Sequence, residues 1–517
     1  MPGAPVAILA LAVAAVALAL LARLRLVETS DVSWILYGSE RMVEGARLGV
    51  DVVENTPPMI FWLTTPTVAL ARALGVDAWP AWVWTIAALA LASSAVSAQL
   101  VTRLPALRDR ASGMLALAVL LVATLVVPGF DFGQREQLTL LLTLPYVTLA
   151  GLRLASNEER AVPSRATVVA IGVAAGLGIG IKPHFALLPI ALAAAQATSA
   201  GVATTLRRPE HLMVVLTGLL YLLAVAVATP EWLAYARAFG PHYASLRSYS
   251  AWTIALRGNG AAESIMALLA WGLLARRATA IRPLTLAVGL AAACFYVVAV
   301  LQLKGWRYHF LPAISYGFIL LCMLLAWLVA TRRGFVRAFS VAAAVAAVLA
   351  MPLWALRLDT DVLRGRRPRP DLDEFIPGTL AALEGRRSIA VLSSNIASSF
   401  PLLRMAGTRS VLRHPLLWPL RLDELTRVEP DGVRRCPPIA ERTALAHRFL
   451  GEVAEDLRRG EPDVLLLMTP DARDGRWEGA RRIDYMECLR RDPALRPLLD
   501  RYRRYAVVGP YELLERR

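Results

Sequence analysis

Apolar blocks of span length recur through the first 357 residues of this 517-residue chain, and no other feature constrains its fold as much. A helix of roughly 20 apolar residues crosses the hydrocarbon layer, and it satisfies every backbone N–H and C=O where no water can. The blocks cover 4–27, 79–102, 111–128, 137–152, 166–181, 185–200, 212–229, 261–275, 283–303, 310–330 and 335–356, which makes 11 expected spans. After residue 357 they stop and charge rises sharply. Residues 1–357 therefore read as a transmembrane core, and 358–517 as a soluble domain of ordinary size.

The formal charge of +16 raises the question of nucleic acid, but no DNA or RNA motif accompanies it. Much of the excess lies in short loops between apolar blocks, where it sets topology and meets anionic lipid. Of the 56 basic residues only Lys182 and Lys304 are lysines, which singles them out. The first block has neither a charged leader nor a small-residue cleavage site, so it is expected to remain as the first helix.

Loop charge orients the core. Loops near 103–110, 153–165, 207–208, 276–282 and 332–337 are short and dense in Arg, which marks them as cytoplasmic. The alternate set, with 28–78, 129–136, 230–260 and 304–309, is mixed or acidic and faces outward. Arg23 and Arg25 run against this bias. The stretch 57–74 opens with Pro57-Pro58 and contains Pro66, which suits a re-entrant or surface-lying helix better than a span. The N-terminus is then cytoplasmic and the C-terminal domain periplasmic, on a bacterial inner membrane.

The outer domain reads as α/β, with strand-like runs at 388–394, 463–468 and 505–508 and helical periodicity over 438–459 and 480–489. A small, mainly parallel sheet is expected. The domain carries no glycine-rich phosphate loop. Cys294 and Cys322 fall in spans and read as packing residues. Cys436 and Cys488 lie where a disulfide is permitted, though spacing alone does not establish the geometry of a pair.

Polar residues gather on the outer side: Asp31, Glu54, Asn55, Arg135, Glu136, Lys182, His184, His242, Lys304, Arg307, Tyr308 and His309. A site handling a lipid-linked phosphate needs this mixture, a base for an acceptor hydroxyl and cations or a metal for the departing phosphate. Asp31 follows the first span and could be that base; the plainer role for Ser30 or Asp31 is a helix N-cap. Glu136 could be a second acid or a metal ligand, or simply a first-turn acid paired with Arg135. The run Gly176 to His184 superficially resembles a phosphate loop, yet Pro183 stands where Ser or Thr is required, and the glycines read better as helix-packing positions. Lys182 either snorkels or binds phosphate as a point charge. Lys304 to His309 (KGWRYH) is either an interfacial belt or a polyprenyl-phosphate site. The outer histidines lack zinc spacing.

The acid after the first helix (Asp31), the stretch Pro57-Pro58-Met59-Ile60-Phe61-Trp62 closing the first outer loop, and the acid in the next outer loop (Glu136) resemble the GT-C class of membrane glycosyltransferases, which includes aminoarabinose transferases and protein O-mannosyltransferases. The resemblance extends to an α-helical core of about 11 spans with an outer C-terminal domain. It implies an inverting transferase that moves a sugar from a polyprenyl-phosphate donor to a glycan or lipid acceptor of the cell envelope. Asp31 would be the general base and Glu136 the second catalytic acid. Lys182, His184, Lys304, Arg307 and His309 would face the donor phosphate, and Glu54, Asn55 and Tyr308 the acceptor or its loop. The first acid stands alone in Ser30-Asp31-Val32 and the second reads Arg135-Glu136, so no subfamily is implied. Whether a divalent metal binds, with Asp31 and Glu136 as ligands, stays open. Two other readings remain. A transporter or flippase would bury ionisable residues midway through its spans, and a non-catalytic scaffold would not need eleven of them.

Overall fold

The structure is a computed structural model that describes residues 4–155, 162–245, 249–331, 352–353, 355–357, 359–364, 375–469 and 482–517. It divides into two compact units. The first comprises 1–27, 70–224 and 249–366; the second comprises 28–69, 225–248 and 367–517.

The apolar blocks are helical wherever they are described, as backbone in hydrocarbon must be. Six of these helices, among the described residues, are long and apolar enough to cross a membrane: Ala4–Arg25, Ala78–Val101, Arg135–Ala155, Pro209–Ala228, Thr279–Leu301 and Arg307–Thr331. Arg110–Val126, Arg165–Gly180, Leu187–Ala200 and Ala261–Leu274 are apolar but shorter. The expected span at 335–356 lies largely outside the described residues. The ambiguous stretch 57–74 forms a helix over Met59–Ala73, whose 15 residues fall short of a span.

In the first unit, Arg135–Ala155 is mostly buried among its neighbours, and Arg307–Thr331 is buried from Tyr308 to Leu321. Glycines permit that packing, as their sequence suggested. A Cβ on Gly176 would lie 2.6 Å from the Cβ of Thr217, and one on Gly178 would lie 2.9 Å from that of Leu142. Arg23, which ran against the charge bias, is buried with its guanidinium 2.6 Å from the equally buried Asp359. It is a packing cation, not a loop charge.

The second unit is built on a mixed sheet. Its strands are β1 (Ser388–Leu392), β2 (Arg409–Ser410), β5 (Val464–Met468), β6 (Tyr502–Val508) and β7 (Tyr511–Arg516), in the order β2-β1-β5-β7-β6. A separate ribbon pairs β3 (Arg427–Val428) with β4 (Arg434–Arg435). β1 runs parallel to both β2 and β5, whereas β7 is antiparallel to β5 and β6. The sheet is therefore half parallel, not mainly so. β6 and β7 form a hairpin turned at Gly509-Pro510, and a hairpin makes its pair antiparallel. Ala390, Leu392, Leu465 and Leu467 pack with Phe449, Leu450 and Val453 of the helix Ala444–Gly460, and a disulfide joins Cys436 to Cys488.

The segments 28–69 and 225–248 belong to this unit by packing. Tyr235 and Phe239, on the helix Pro230–Ser245, enter its core together with Val53. The backbone N–H of Val53 donates to the carbonyl of Arg413 at 2.9 Å, and that of Ser410 donates to the Tyr37 hydroxyl at 3.0 Å. The helix Ser30–Val43 lies so close to Phe61 that a Cβ on Gly38 would sit 2.5 Å from its ring. Trp34, Tyr37, Phe61 and Phe400 form one aromatic cluster. The Arg404 guanidinium bonds Glu28 and reaches Glu40 at 3.0 Å, which anchors the helix Ser30–Val43 near both of its ends.

Candidate active site

The polar residues singled out by sequence fall into two groups, one per unit. The first unit holds Glu136, Lys182, His184, Lys304, Arg307, Tyr308 and His309 at connected helix ends; the second holds Asp31, Glu54 and Asn55.

Local sequence places each member of the first group. The helix Arg110–Leu121 widens into a π turn over Val122–Val126, and the chain then turns through Pro128 and two left-handed glycines, Gly129 (φ 56°) and Gly133 (φ 83°). Gln137 closes this turn. Its amide nitrogen donates to the carbonyl of Thr124 at 2.8 Å, and its oxygen accepts from the N–H of Gly133 at 2.6 Å. Glu136 is thereby fixed in the first turn of Arg135–Ala155, where the helix dipole favours an acid. Lys182 stands extended at φ −143° because Pro183 follows it and excludes the helical conformation. Lys304 lies between Leu303 (φ 55°) and Gly305 (φ 73°), and the left-handed leucine is a strained position of the kind found at functional sites.

Charges meet at this point. Lys182 Nζ donates to Glu136 Oε1 at 2.5 Å and to Gln302 Oε1 at 2.9 Å. Glu136 is fully buried, and its second carboxylate oxygen, Oε2, has no hydrogen-bond partner among the described residues. The ammonium also lies 5.8 Å from the centre of the Tyr308 ring. Arg307 reaches Asp131 at 2.6 Å and the carbonyl of Pro128 at 3.2 Å, so it ties the turn after Val126 to the helix Arg307–Thr331.

His309 is buried beside Tyr308 and Trp306, with ring centres 4.6 and 5.2 Å away. Its Nδ1 and the Nε2 of His184 are buried without hydrogen-bond partners among the described residues. Burial, with Lys182 and Arg135 nearby, pushes the His184 imidazole down to about 3, so it is neutral at physiological pH. Lys182, Arg135 and Lys304 thus gather around His184 and His309, with Glu136 bonded to Lys182. Orphaned imidazole nitrogens beside excess positive charge suit an anionic ligand.

In the second unit, Asp31 is half-buried in the first turn of Ser30–Val43. The N-cap of that helix is Thr29, so neither Ser30 nor Asp31 holds the capping position. Glu54 shapes its own turn. Its carboxylate accepts from the N–H of Thr56 at 2.7 Å and from that residue's hydroxyl, while its carbonyl accepts from Trp232 Nε1 at 3.0 Å. Both polar atoms of the Asn55 side chain are buried without a hydrogen-bond partner among the described residues.

Gln302 was missed by sequence reasoning. Its signal was position, since it ends an apolar helix two residues before Lys304. Among the described residues no three His, Cys, Asp or Glu side chains converge as a metal site, and one oxygen of Glu136 is already on Lys182. That donor set does not fit a resident divalent cation.

A helical core with six candidate membrane spans among the described residues, joined to a strand-containing C-terminal domain, is the architecture of the GT-C fold. The solved structure of ArnT from Cupriavidus metallidurans in the apo state superposes on this chain with a TM-score of 0.56. The match covers 98% of this chain and 97% of that one, at 16% identity. No protein-family model matches the sequence, and no curated protein matches it.

Proposed function

We propose that the chain is an inverting inner-membrane glycosyltransferase that takes a sugar from a polyprenyl-phosphate donor and passes it to a cell-envelope acceptor on the periplasmic face. The observation that carries this is the cluster around Lys182, where Arg135 and Lys304 lie near His184 and His309, whose Nε2 and Nδ1 are buried without a hydrogen-bond partner among the described residues. The donor phosphate lies against Lys182, His184 and His309, with Lys304 adding charge and Arg307 holding the wall of the site. Asp31 takes the proton of the acceptor hydroxyl as its oxygen attacks the anomeric carbon. The bond from that carbon to the phosphate oxygen breaks, and the lipid phosphate leaves with the electron pair toward Lys182. Glu54, Asn55 and Tyr308 stay assigned to the acceptor or its loop, as the resemblance implies.

The likeness to ArnT supports the fold of this reading. The Cys436–Cys488 bridge supports placing the C-terminal domain outside, since disulfides persist in oxidising compartments. Charges at helix ends favour an enzyme over a transport path. Mass spectrometry of glycolipids from cells lacking the protein tests it. A polyprenyl-phosphate sugar should accumulate, and an unchanged glycolipid and envelope-glycan profile would refute the activity.

A further inference from the structure

Resting on the donor-phosphate reading of the Lys182 cluster, we infer that Glu136 is the resident counter-ion of Lys182, occupying the ammonium in the lipid-free state and setting how tightly the lipid phosphate is held. A second catalytic acid would need to face the reacting sugar. Glu136 instead is fully buried and spends Oε1 on Lys182 at 2.5 Å. A buried ammonium without an anion costs several kcal/mol, roughly the desolvation penalty of one ion, so some anion must always accompany it.

Two anions are then available to one cation. When the lipid phosphate arrives, Lys182 is shared between phosphate and carboxylate, and the two negative groups repel across a few ångströms of low-dielectric surroundings. Gln302 completes the arrangement. Its oxygen accepts from the same ammonium at 2.9 Å, fixing the direction of Nζ without adding charge. Phosphate, carboxylate and amide oxygen around one ammonium, two of them charged, give a site that binds phosphate yet releases it. An enzyme that turns over must release its lipid-phosphate product. Glu136 is therefore an affinity-setting, positioning residue, and Gln302 its neutral counterpart.

The proposal predicts opposite shifts from two nearly isosteric changes. Binding of undecaprenyl phosphate to the full chain in detergent would be measured for wild type, Glu136→Gln, Gln302→Glu and Lys182→Met. Glu136→Gln removes the competing charge and should bind about tenfold more tightly, while Gln302→Glu adds one and should bind about tenfold more weakly, both shifts shrinking in high salt. Lys182→Met should lose binding. If Glu136 were a catalytic acid, Glu136→Gln would leave affinity unchanged and abolish turnover; if it were only structural, the folded variant would bind no more tightly than wild type. Either result overturns the proposal. Should Glu136→Gln fail to fold, Gln302→Glu still decides, because unchanged or tighter binding there contradicts it. Wild-type protein that binds no undecaprenyl phosphate would overturn the donor-site reading as well.

Discussion

The two units meet the same problem, an Arg-rich chain, with different solutions. In the membrane core the exposed arginines lie in or beside the loops between helices, and the buried or partly buried charges form simple pairs: Arg23 with Asp359, Arg153 with Glu210, Lys182 with Glu136, Arg307 with Asp131. In the second unit carboxylates and guanidiniums form branched surface networks, such as Arg435 between Glu429 and Asp431, or Arg491 between Glu429 and Glu487. Water makes surface pairs cheap and weak, whereas hydrocarbon makes an unpaired charge prohibitive. Cations gathered at buried helix ends of the core are thus informative, and cations on the surface of the second unit are not.

That contrast can be broken where the second unit imitates the first. The Arg404 side chain is 5% exposed and serves Glu28, itself buried, as well as Glu40. Arg404→Ala strands Glu28 and should destabilise the second unit by about 3–5 kcal/mol, read as a lower melting temperature of the detergent-solubilised chain. A mutation at a surface pair, Arg427→Ala, serves as the near-neutral control.

Covalent closure is the next largest effect. The Cys436–Cys488 bridge spans 52 residues of the second unit. Replacing both cysteines with Ser should cost roughly 3 kcal/mol, measured as earlier unfolding of the C-terminal domain by limited proteolysis, with the core helices unaffected.

The smallest effect is electrostatic and sharpens the comparison by its pH dependence. Burial raises the Asp463 carboxyl, but the backbone N–H groups of Arg387 and Ser388, at 2.9 and 3.1 Å, outweigh it and hold the group below its ordinary value. Stability from this group is present above the ordinary carboxylate value and is lost as pH falls through the folded one. Asp463→Asn should lower stability by about 1 kcal/mol or less at neutral pH, and the difference should vanish in acid. Thermal melts at both pH values check it.

Much of this was legible in the chain. Apolar blocks fixed the helices because hydrocarbon leaves the backbone no alternative, and β1, β5 and β6 showed as short apolar runs. Lys182, His184 and the 304–309 turn were identifiable because ionisable residues at helix ends have few places to go. Contacts distant in sequence were not legible. Nothing local announces that Lys182 takes Glu136, 46 positions earlier, or that Arg404 takes Glu28, 376 positions earlier. β7 hid because only Leu513 and Leu514 of its residues are buried, so it carries no alternation. The cap at Thr29 hid behind Ser30 and Asp31, two equally good capping residues.

The central claim, that Asp31 performs the proton transfer while the Lys182 cluster holds the donor, is tested most directly on one variant with two assays. Purified Asp31→Asn protein would be compared with wild type for undecaprenyl phosphate binding and for sugar transfer from a polyprenyl-phosphate donor identified in the deletion strain. The account predicts unchanged lipid-phosphate affinity with turnover reduced by about 100-fold or more. Transfer at a near wild-type rate would contradict it.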